Sequence, residues 1–209
     1  HVDSHLALGR LWLGLGRADK AIPCFQTVQT LLKGTGRPPE FHRHHGEALM
    51  RAKRYSDARK ELELAAQEDP RDPGAAILVG DCLFVDERST EAANWYRKAI
   101  VRDARNPFAH HKLGLCLFRL ARFEAGLESC LEAVRLKPDY GAAMRSAAIG
   151  FLRTAKWRKA REMLTRACRE EPESAEFGRL RARVWRYQVR HMVRKVLGLF
   201  PYFLGTRRS

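Results

Sequence analysis

The chain has 209 residues, of which 45% are hydrophobic and 30% charged, and 39 Lys or Arg against 24 Asp or Glu give a formal net charge of +15. The apolar content allows a substantial buried surface. No apolar stretch approaches the roughly 18 residues of a membrane-spanning helix, and the N-terminus lacks a signal-peptide pattern. Composition thus excludes a membrane-spanning chain and favours a cytoplasmic one. The chain begins at His1, so we expect further sequence upstream.

Small residues recur at one phase along the chain. Five of them are separated by 37, 34, 34 and 34 residues, a second set precedes them by 12, and prolines follow three of them by 12. The three sets are Ala21, Ala58, Ala92, Gly126 and Ala160; Gly9, Gly46, Gly80, Gly114 and Ala148; and Pro70, Pro138 and Pro172. This period predicts repeated helical hairpins, because small side chains let paired helices approach closely and proline ends the second helix.

The phase also gives the expected helices in chain order. First helices are expected near 3–15, 40–52, 74–86, 108–120 and 142–154, and second helices near 18–32, 56–68, 89–102, 123–136 and 157–170. Asp72-Pro73 and Asn106-Pro107 each offer a capping side chain followed by proline at the first helical position. Pro23 lies inside an expected second helix, where we expect a bent or shortened helix because proline removes a backbone hydrogen bond.

The pattern resembles the tetratricopeptide repeat family over roughly residues 2–174. The resemblance implies an all-α, right-handed superhelix (an α-solenoid) of about five helix-turn-helix repeats with a C-terminal capping helix. The expected units are repeats near 2–35, 39–72, 73–106, 107–140 and 141–174, a basic capping helix at 175–198, and an apolar and basic tail at 199–209.

In this family the first helices line a concave groove, and positions 2, 5, 9, 12 and 13 of each repeat face it. Position 1 corresponds here to residues 2, 39, 73, 107 and 141. Carried over residue by residue, the resemblance implies an apolar groove with arginine edges. The expected partner-binding residues are Arg10, Arg43, Glu47, Met50, Asp81, Phe84, Phe108, His111, Leu115, Phe118, Arg119, Arg145, Ile149, Leu152 and Arg153, with Leu13, Arg51 and Ile77 at equivalent positions.

Such a groove suits an extended or helical peptide whose apolar side chains fill the floor while its carboxylates meet the guanidinium groups. The alternative interpretation is an ordinary solvated face. Family members that grip a chaperone's terminal carboxylate use lysine and asparagine at these positions, and no asparagine stands at position 9 here, so we expect no such clamp. We expect an affinity of about micromolar, or roughly 8 kcal/mol, with association rates that fall as salt rises.

The C-terminal segment carries much of the positive charge, because residues 175–209 contain nine Lys or Arg and one Glu. Apolar residues recur at helical spacing between Val189 and Phe200, and an apolar, aromatic run follows at 199–204. Three roles stay open: packing on the fifth repeat, docking into a partner or another domain, and contact of residues 186–204 with an anionic membrane surface. Nucleic-acid binding is disfavoured because no recognised module is present.

No residue set points to catalysis, to a metal or to a cofactor. The histidines at 42, 44, 45, 110 and 111 share no ligand spacing with acidic or thiol residues. The stretch Leu13-Gly14-Leu15-Gly16 imitates a phosphate loop, but it is expected at a turn between helices. The five cysteines include no CxxC and are expected to be reduced core residues. We therefore predict that this segment is not an enzyme and that it uses no cofactor.

The predicted function is a protein-protein interaction scaffold. One alternative is a regulatory or recruiting appendage of an enzyme whose catalytic domain lies upstream of His1, and another is peripheral membrane association through the basic C-terminal helix. The excess of 29 Arg over 10 Lys is compatible with a bacterial gene of high GC content.

Overall fold

The computed structural model describes residues 1–32, 36–38, 40–170, 178–182, 184–186 and 188–189, and these fold as successive pairs of α-helices. The ten helices of the described array are α1 Val2–Gly14, α2 Ala18–Leu31, α3 Phe41–Arg51, α4 Tyr55–Glu68, α5 Pro73–Val85, α6 Ser89–Arg102, α7 Pro107–Arg119, α8 Phe123–Leu136, α9 Gly141–Arg153 and α10 Trp157–Glu170. Each bound lies within one residue of the helix that the period predicts, and the all-α solenoid is confirmed.

The recurring small residues lie where paired helices touch. A Cβ atom added at Gly46 would lie 2.6 Å from Leu62 Cγ, and one added at Gly80 would lie 2.6 Å from Tyr96 Cε1. Real Cβ atoms do not approach other atoms so closely, so these positions admit only glycine at this helix spacing. The small residues therefore set the distance within each pair, as the sequence pattern predicts.

Each pair is joined by the same tight turn. The residue that follows the C-cap of the first helix has a positive φ in all five turns, and the next two hydrogen bonds close the helix end in a Schellman motif. In the second turn, for example, Lys53 has a φ of 60°, and Arg54 N donates to Leu49 O at 2.9 Å. The left-handed residues are Gly16, Lys53, Glu87, Ala121 and Ala155.

Helix starts confirm the two predicted caps. Asp72 Oδ1 accepts a hydrogen bond from Gly74 N at 2.8 Å, and Asn106 Oδ1 accepts from Phe108 N at 3.1 Å. These bonds satisfy backbone donors that the first helical turn leaves open.

The expected shortening at Pro23 is wrong. Helix α2 has 14 residues, as do the other four second helices, and Pro23 lies inside it. Pro23 and Asp19 are exposed, so the Asp19 carbonyl that loses its partner can be hydrated instead.

Stacking of the pairs places the first helices on one side of the array. Helix α1 contacts α3, α3 contacts α5, and α7 contacts α9, whereas successive second helices have no comparable contact among the described residues. The first helices therefore form the inner, concave surface, as in a curved solenoid.

The helical residues from 178 onward cover the last pair. Val184 is fully buried, and Leu180 packs with it against the core formed by α9 and α10. This packing agrees with a capping helix, but the full limits proposed for it, and the tail at 199–209, lie partly or wholly outside the described residues. No helix in the described part of the chain is long and apolar enough to cross a membrane.

Candidate functional site

A cavity of about 340 Å³ opens on the concave surface where α3, α5 and α7 meet. We call it the central pocket. Its lining consists of Glu47, Met50, Arg51, Tyr55, Leu78, Asp81, Phe84, Val85 and Lys112. Four of these, Glu47, Met50, Asp81 and Phe84, are among the partner-binding residues expected from the sequence, and Arg51 stands at an equivalent position.

The floor of the central pocket is apolar. Met50, Leu78 and Phe84 are partly buried and pack against the hydrophobic core of the first four pairs. Val85, at the end of α5, is 49% exposed. A floor of this kind gains free energy when an apolar side chain of another molecule covers it.

The polar rim of the pocket is already paired. Asp81 Oδ1 accepts a hydrogen bond from Tyr96 Oη at 2.6 Å and lies 2.9 Å from Lys112 Nζ. Burial, reinforced by the nearby Asp81 charge, raises the pKa of Tyr96, which keeps its hydroxyl a donor. Glu47 lies 2.8 Å from Arg51 Nη2. Neither carboxylate is left without a cation.

Two arginines of the expected groove edge connect neighbouring repeats. Arg119 Nη1 donates to the Phe84 carbonyl at 2.6 Å, and its guanidinium lies 3.6 Å from the centre of the Phe84 ring. Arg51 makes the equivalent bond to the carbonyl of Leu13. Both carbonyls lie at helix C-termini, where a cation is favoured. These side chains therefore connect adjacent repeats within the chain itself.

The sequence positions missed part of the pocket. Leu78 and Lys112 both occupy position 6 of their repeats, which was not among the positions taken to face the groove, and Tyr55 opens a second helix. Position 6 lies one residue from position 5 and three from position 9, so helical geometry alone could have indicated it.

Several expected residues lie along the groove outside the pocket. Phe108 is 46% exposed and Ile149 is 37% exposed, while Leu115, Arg145 and Leu152 are partly buried. Arg43 lies 3.0 Å from Glu40, and Arg10 lies 4.0 Å from the same carboxylate. Arg153 is exposed, with its guanidinium 5.6 Å from the Phe123 ring.

Three expected groove residues point elsewhere. Leu13 is 4% exposed and His111 is 5% exposed, so neither side chain is available to a partner. The Phe118 ring packs toward α8 and α9, because Cβ atoms added at Gly126 and Gly150 would lie 2.6 and 2.8 Å from it. For these residues the expected groove role is corrected to a packing role.

His111 instead forms a buried relay between α7 and α9. Ser146 donates its single proton to the Ala142 carbonyl at 3.0 Å, so it accepts from His111 Nε2 at 2.9 Å. His111 Nδ1 then accepts from Tyr140 Oη at 2.9 Å. Burial, followed by the charges of Lys112 and Arg145, lowers the pKa of His111 to about 4. The imidazole is neutral at physiological pH.

Comparison with known proteins identifies the array. Two family models, both described as tetratricopeptide repeat, match residues 43–109 and 109–140. The matched part of the chain, residues 43–140, belongs to the tetratricopeptide repeat family. A stack of such hairpins is a scaffold, so this tetratricopeptide repeat segment is non-catalytic.

Individual proteins show the same repeat architecture. The chain is 25% identical over 176 residues to Hsp70-Hsp90 organizing protein 2 of Arabidopsis thaliana, covering 81% of this chain and 29% of that protein. Residues 41 to the end of MamA from Desulfovibrio magneticus RS-1 superpose with a TM-score of 0.73 at 18% identity, covering 84% of this chain and 97% of that one. YrrB, described as a TPR protein with an unusual peptide-binding site, gives a TM-score of 0.68 at 16% identity, covering 87% of this chain and 90% of that one.

Two buried histidines of the second repeat, His42 and His45, face carboxylates. His42 Nδ1 lies 2.6 Å from Glu61 Oε2, His42 Nε2 lies 3.3 Å from Glu68, and His45 Nδ1 lies 3.5 Å from Glu61. Burial opposes ionisation of Glu61, but its contacts with His42 and His45 lower the pKa of Glu61 to about 2. Within the described ranges, no group of three or more His, Cys, Asp or Glu is arranged to hold a metal ion.

The cysteines of the repeats are core residues. Cys82, Cys116 and Cys130 are fully buried, and burial raises the pKa of each thiol to about 12. A thiol that stays protonated is neither a nucleophile nor a metal ligand at neutral pH.

Proposed function

We propose that the chain is a protein-interaction scaffold that holds a peptide or helix on its concave surface, with an apolar side chain of the partner in the central pocket. The observation that carries this proposal is the combination of an apolar floor with a rim whose charges are already neutralised. A partner gains free energy from covering the floor, and it does not have to supply a counter-ion for Asp81 or Glu47.

The partner's charged residues have a secondary role in this proposal. Arg51 and Arg119 are engaged with backbone carbonyls, so the exposed Arg153, together with Arg10, which already lies 4.0 Å from Glu40, provides the edge charge that acidic flanking residues would meet. Exposed ion pairs contribute about 0.2–1 kcal/mol each. Affinity therefore depends mainly on the apolar anchor, while the edge arginines set the salt dependence of association.

The names of the relatives support a peptide or protein as the partner. YrrB is described as having an unusual peptide-binding site, and the Arabidopsis relative is described as an organizing protein of two chaperones. Glu47 and Asp81 stand at position 9, where a clamp for a terminal carboxylate needs a neutral donor, so we propose an internal peptide segment rather than a free C-terminus.

A recruiting segment within a larger protein is a second candidate. The chain spans 29% of the length of the Arabidopsis relative, which supports an array that acts as one part of a longer assembly. We also propose a cytoplasmic location. The free thiols, four of them buried and that of Cys168 partly buried, support it because unpaired cysteines suit a reducing compartment.

The test uses a matched pair of substitutions. Peptides selected by display against the wild-type chain are measured by fluorescence polarisation against Val85→Asp and Val101→Asp. Val85 lines the central pocket and is 49% exposed, whereas Val101 lies on α6 outside the groove and is 86% exposed. We expect Val85→Asp to weaken binding at least about tenfold, or roughly 1.4 kcal/mol, and Val101→Asp to leave it unchanged. Equal affinities for both variants would contradict the proposal, as would a display that selects no peptide.

A further inference from the structure

The last helix of the array carries a face on which cations outnumber acidic residues. Its buried residues, Ala160, Met163, Leu164 and Ala167, form the face that packs on α9 and the cap. At 3.6 residues per turn, the opposite face presents the exposed side chains of the remaining positions. These include Arg158, Lys159, Arg161, Arg166 and Arg169, with Glu162 as the one acidic residue between them. We call this set the α10 basic face.

The other second helices balance their charges locally. Arg54 lies 2.7 Å from Asp57, Arg88 lies 2.6 Å from Glu91, and Arg135 lies 2.6 Å from Glu132. The first turn of α10 contains no acidic residue. Lys159 stands at the repeat position that Asp57 and Glu91 occupy. Lys20 holds this position in α2, but there Asp19 pairs with Arg17 at 3.2 Å, and α10 has no such acidic neighbour in its first turn.

None of the five cations of the α10 basic face has a side-chain ion pair or hydrogen bond in the part of the chain that the structure describes. Their positive charge is therefore not neutralised within the array. The following helical residues continue this character, because Arg179, Arg181 and Arg186 are exposed and Trp185 is 62% exposed. Residues 156–209 together contain 15 Lys or Arg and five Glu.

We infer that the α10 basic face binds the surface of a membrane that contains anionic lipid. The face is about 20 Å long at 1.5 Å per residue. It lies on the outer, convex side of the array, where a flat lipid surface can contact it. Each Lys or Arg near such a surface adds to the attraction. An exposed tryptophan and the apolar run at 199–204 suit the interfacial region of a bilayer.

Nucleic acid fits this surface less well. The α10 basic face itself carries no aromatic side chain on which bases could stack, and the exposed Trp185 lies outside that face. The apolar run at 199–204 finds no apolar partner on a phosphate backbone. The inference does not depend on the central pocket, which lies on the opposite surface of the solenoid.

The test compares two triple charge reversals in the full chain. One variant is Arg158→Glu, Arg161→Glu and Arg169→Glu; the control is Lys60→Glu, Arg97→Glu and Arg105→Glu, which changes the net charge equally on other exposed surfaces. Partition onto sedimented vesicles is measured with phosphatidylcholine alone and with about 30 mol% phosphatidylserine, at an ionic strength of about 0.1 M. Circular dichroism verifies that both variants are folded.

We expect the wild type to bind only the anionic vesicles, the α10 variant to lose at least about tenfold in partition, and the control to lose less than about threefold. Absence of phosphatidylserine-dependent binding, or equal losses in the two variants, would overturn the inference. Retention of the wild type on RNA without any vesicle binding would assign the face to nucleic acid and also overturn it. The peptide assay with Val85→Asp is independent, so failure of either proposal is recognised separately.

Discussion

At the scale of single residues, the small side chains determine how closely paired helices lie. A Cβ atom added at Gly114 would collide with Cys130 Sγ and lie 2.9 Å from the backbone oxygen of Gly126, which cannot rotate away. We expect Gly114→Ala to lower the free energy of unfolding by about 1–3 kcal/mol through overpacking, although alanine is the better helix former by about 1 kcal/mol. Urea denaturation monitored by circular dichroism measures the difference.

Gly14→Ala is the matched control for this prediction. A Cβ atom added at Gly14 meets nothing within 4 Å. Gly14 belongs to a first helix, as Gly114 does, and is the last residue of α1. Its substitution is expected to be neutral or to stabilise by up to about 1 kcal/mol. If the two variants were destabilised equally, close approach would not be the reason for glycine at position 114.

The residue pattern predicted contacts within a pair better than contacts between pairs. Gly46, Gly80 and Gly114 could be recognised from their spacing, because each faces a residue of its own hairpin. The partners of His111 could not, because Tyr140 and Ser146 lie 29 and 35 residues further along the chain, in another hairpin. His111, which the sequence assigned to partner binding, is therefore a buried packing residue.

At the scale of elements, the C-terminus of a first helix accepts a hydrogen bond from an arginine of the next repeat. The Phe84 carbonyl accepts a hydrogen bond from Glu87 N within its own turn and a second from Arg119 of the next repeat. Arg153 occupies the same repeat position as Arg119, but its guanidinium contacts the Phe123 ring instead. Equivalent positions therefore do not give arginines the same contacts. Reasoning from repeat position alone could not see these contacts within the array, and it assigned all of these arginines to a partner.

This difference predicts unequal stability effects of two equivalent substitutions. Arg119→Ala removes a charge-assisted bond and a stacked guanidinium, and we expect it to lower the free energy of unfolding by about 1 kcal/mol. Arg153→Ala is expected to change the free energy of unfolding by less than about 0.5 kcal/mol. Thermal denaturation of both variants at one salt concentration is the measurement, and a larger loss for Arg153→Ala would show that the carbonyl bond contributes little.

Element boundaries were the most predictable part of the fold. Caps and small residues act within a few residues of each helix end, so local sequence specifies them, as at Asp72 and Asn106. The shortening expected at Pro23 was wrong because tolerance of a proline depends on whether the carbonyl it leaves unpaired faces solvent. The central pocket was found only in part, because its lining depends on how three hairpins stack.

At the scale of the whole molecule, the hydrophobic core has two parts. One cluster of buried residues extends from α1 to α7, and a second extends from α8 through α10 to Val184. The relay from Tyr140 through His111 to Ser146 connects α7 of the first part to α9 of the second. A buried polar relay at this junction makes the union of the two parts sensitive to the protonation of a single imidazole.

We expect this relay to make the array less stable in acid in a defined pH window. The pKa of His111 is lowered from 6.5 to about 4, so above pH 6.5 both the folded and the unfolded states hold a neutral imidazole. As the pH falls from 6.5 toward 4, the unfolded state takes up a proton and the folded state does not, so stability falls by roughly 3 kcal/mol in total. Glu61, with its pKa lowered from 4.5 to about 2, acts in a separate window below pH 4.5.

His111→Leu tests this interpretation through a slope rather than an absolute stability. The variant is less stable at pH 7 because Tyr140 and Ser146 lose a partner. Between pH 6.5 and 4.5 its free energy of unfolding should fall less steeply than that of the wild type, and the remaining slope comes from His44, whose pKa burial also lowers. Urea denaturation across this range gives the slopes, and His5→Gln, which alters a histidine near the N-terminus of α1, should keep the wild-type slope. Hydrogen exchange at pH 5 should show α9 and α10 losing protection before α3 to α6. A slope in His111→Leu as steep as that of the wild type would mean that His111 is not responsible for the acid sensitivity.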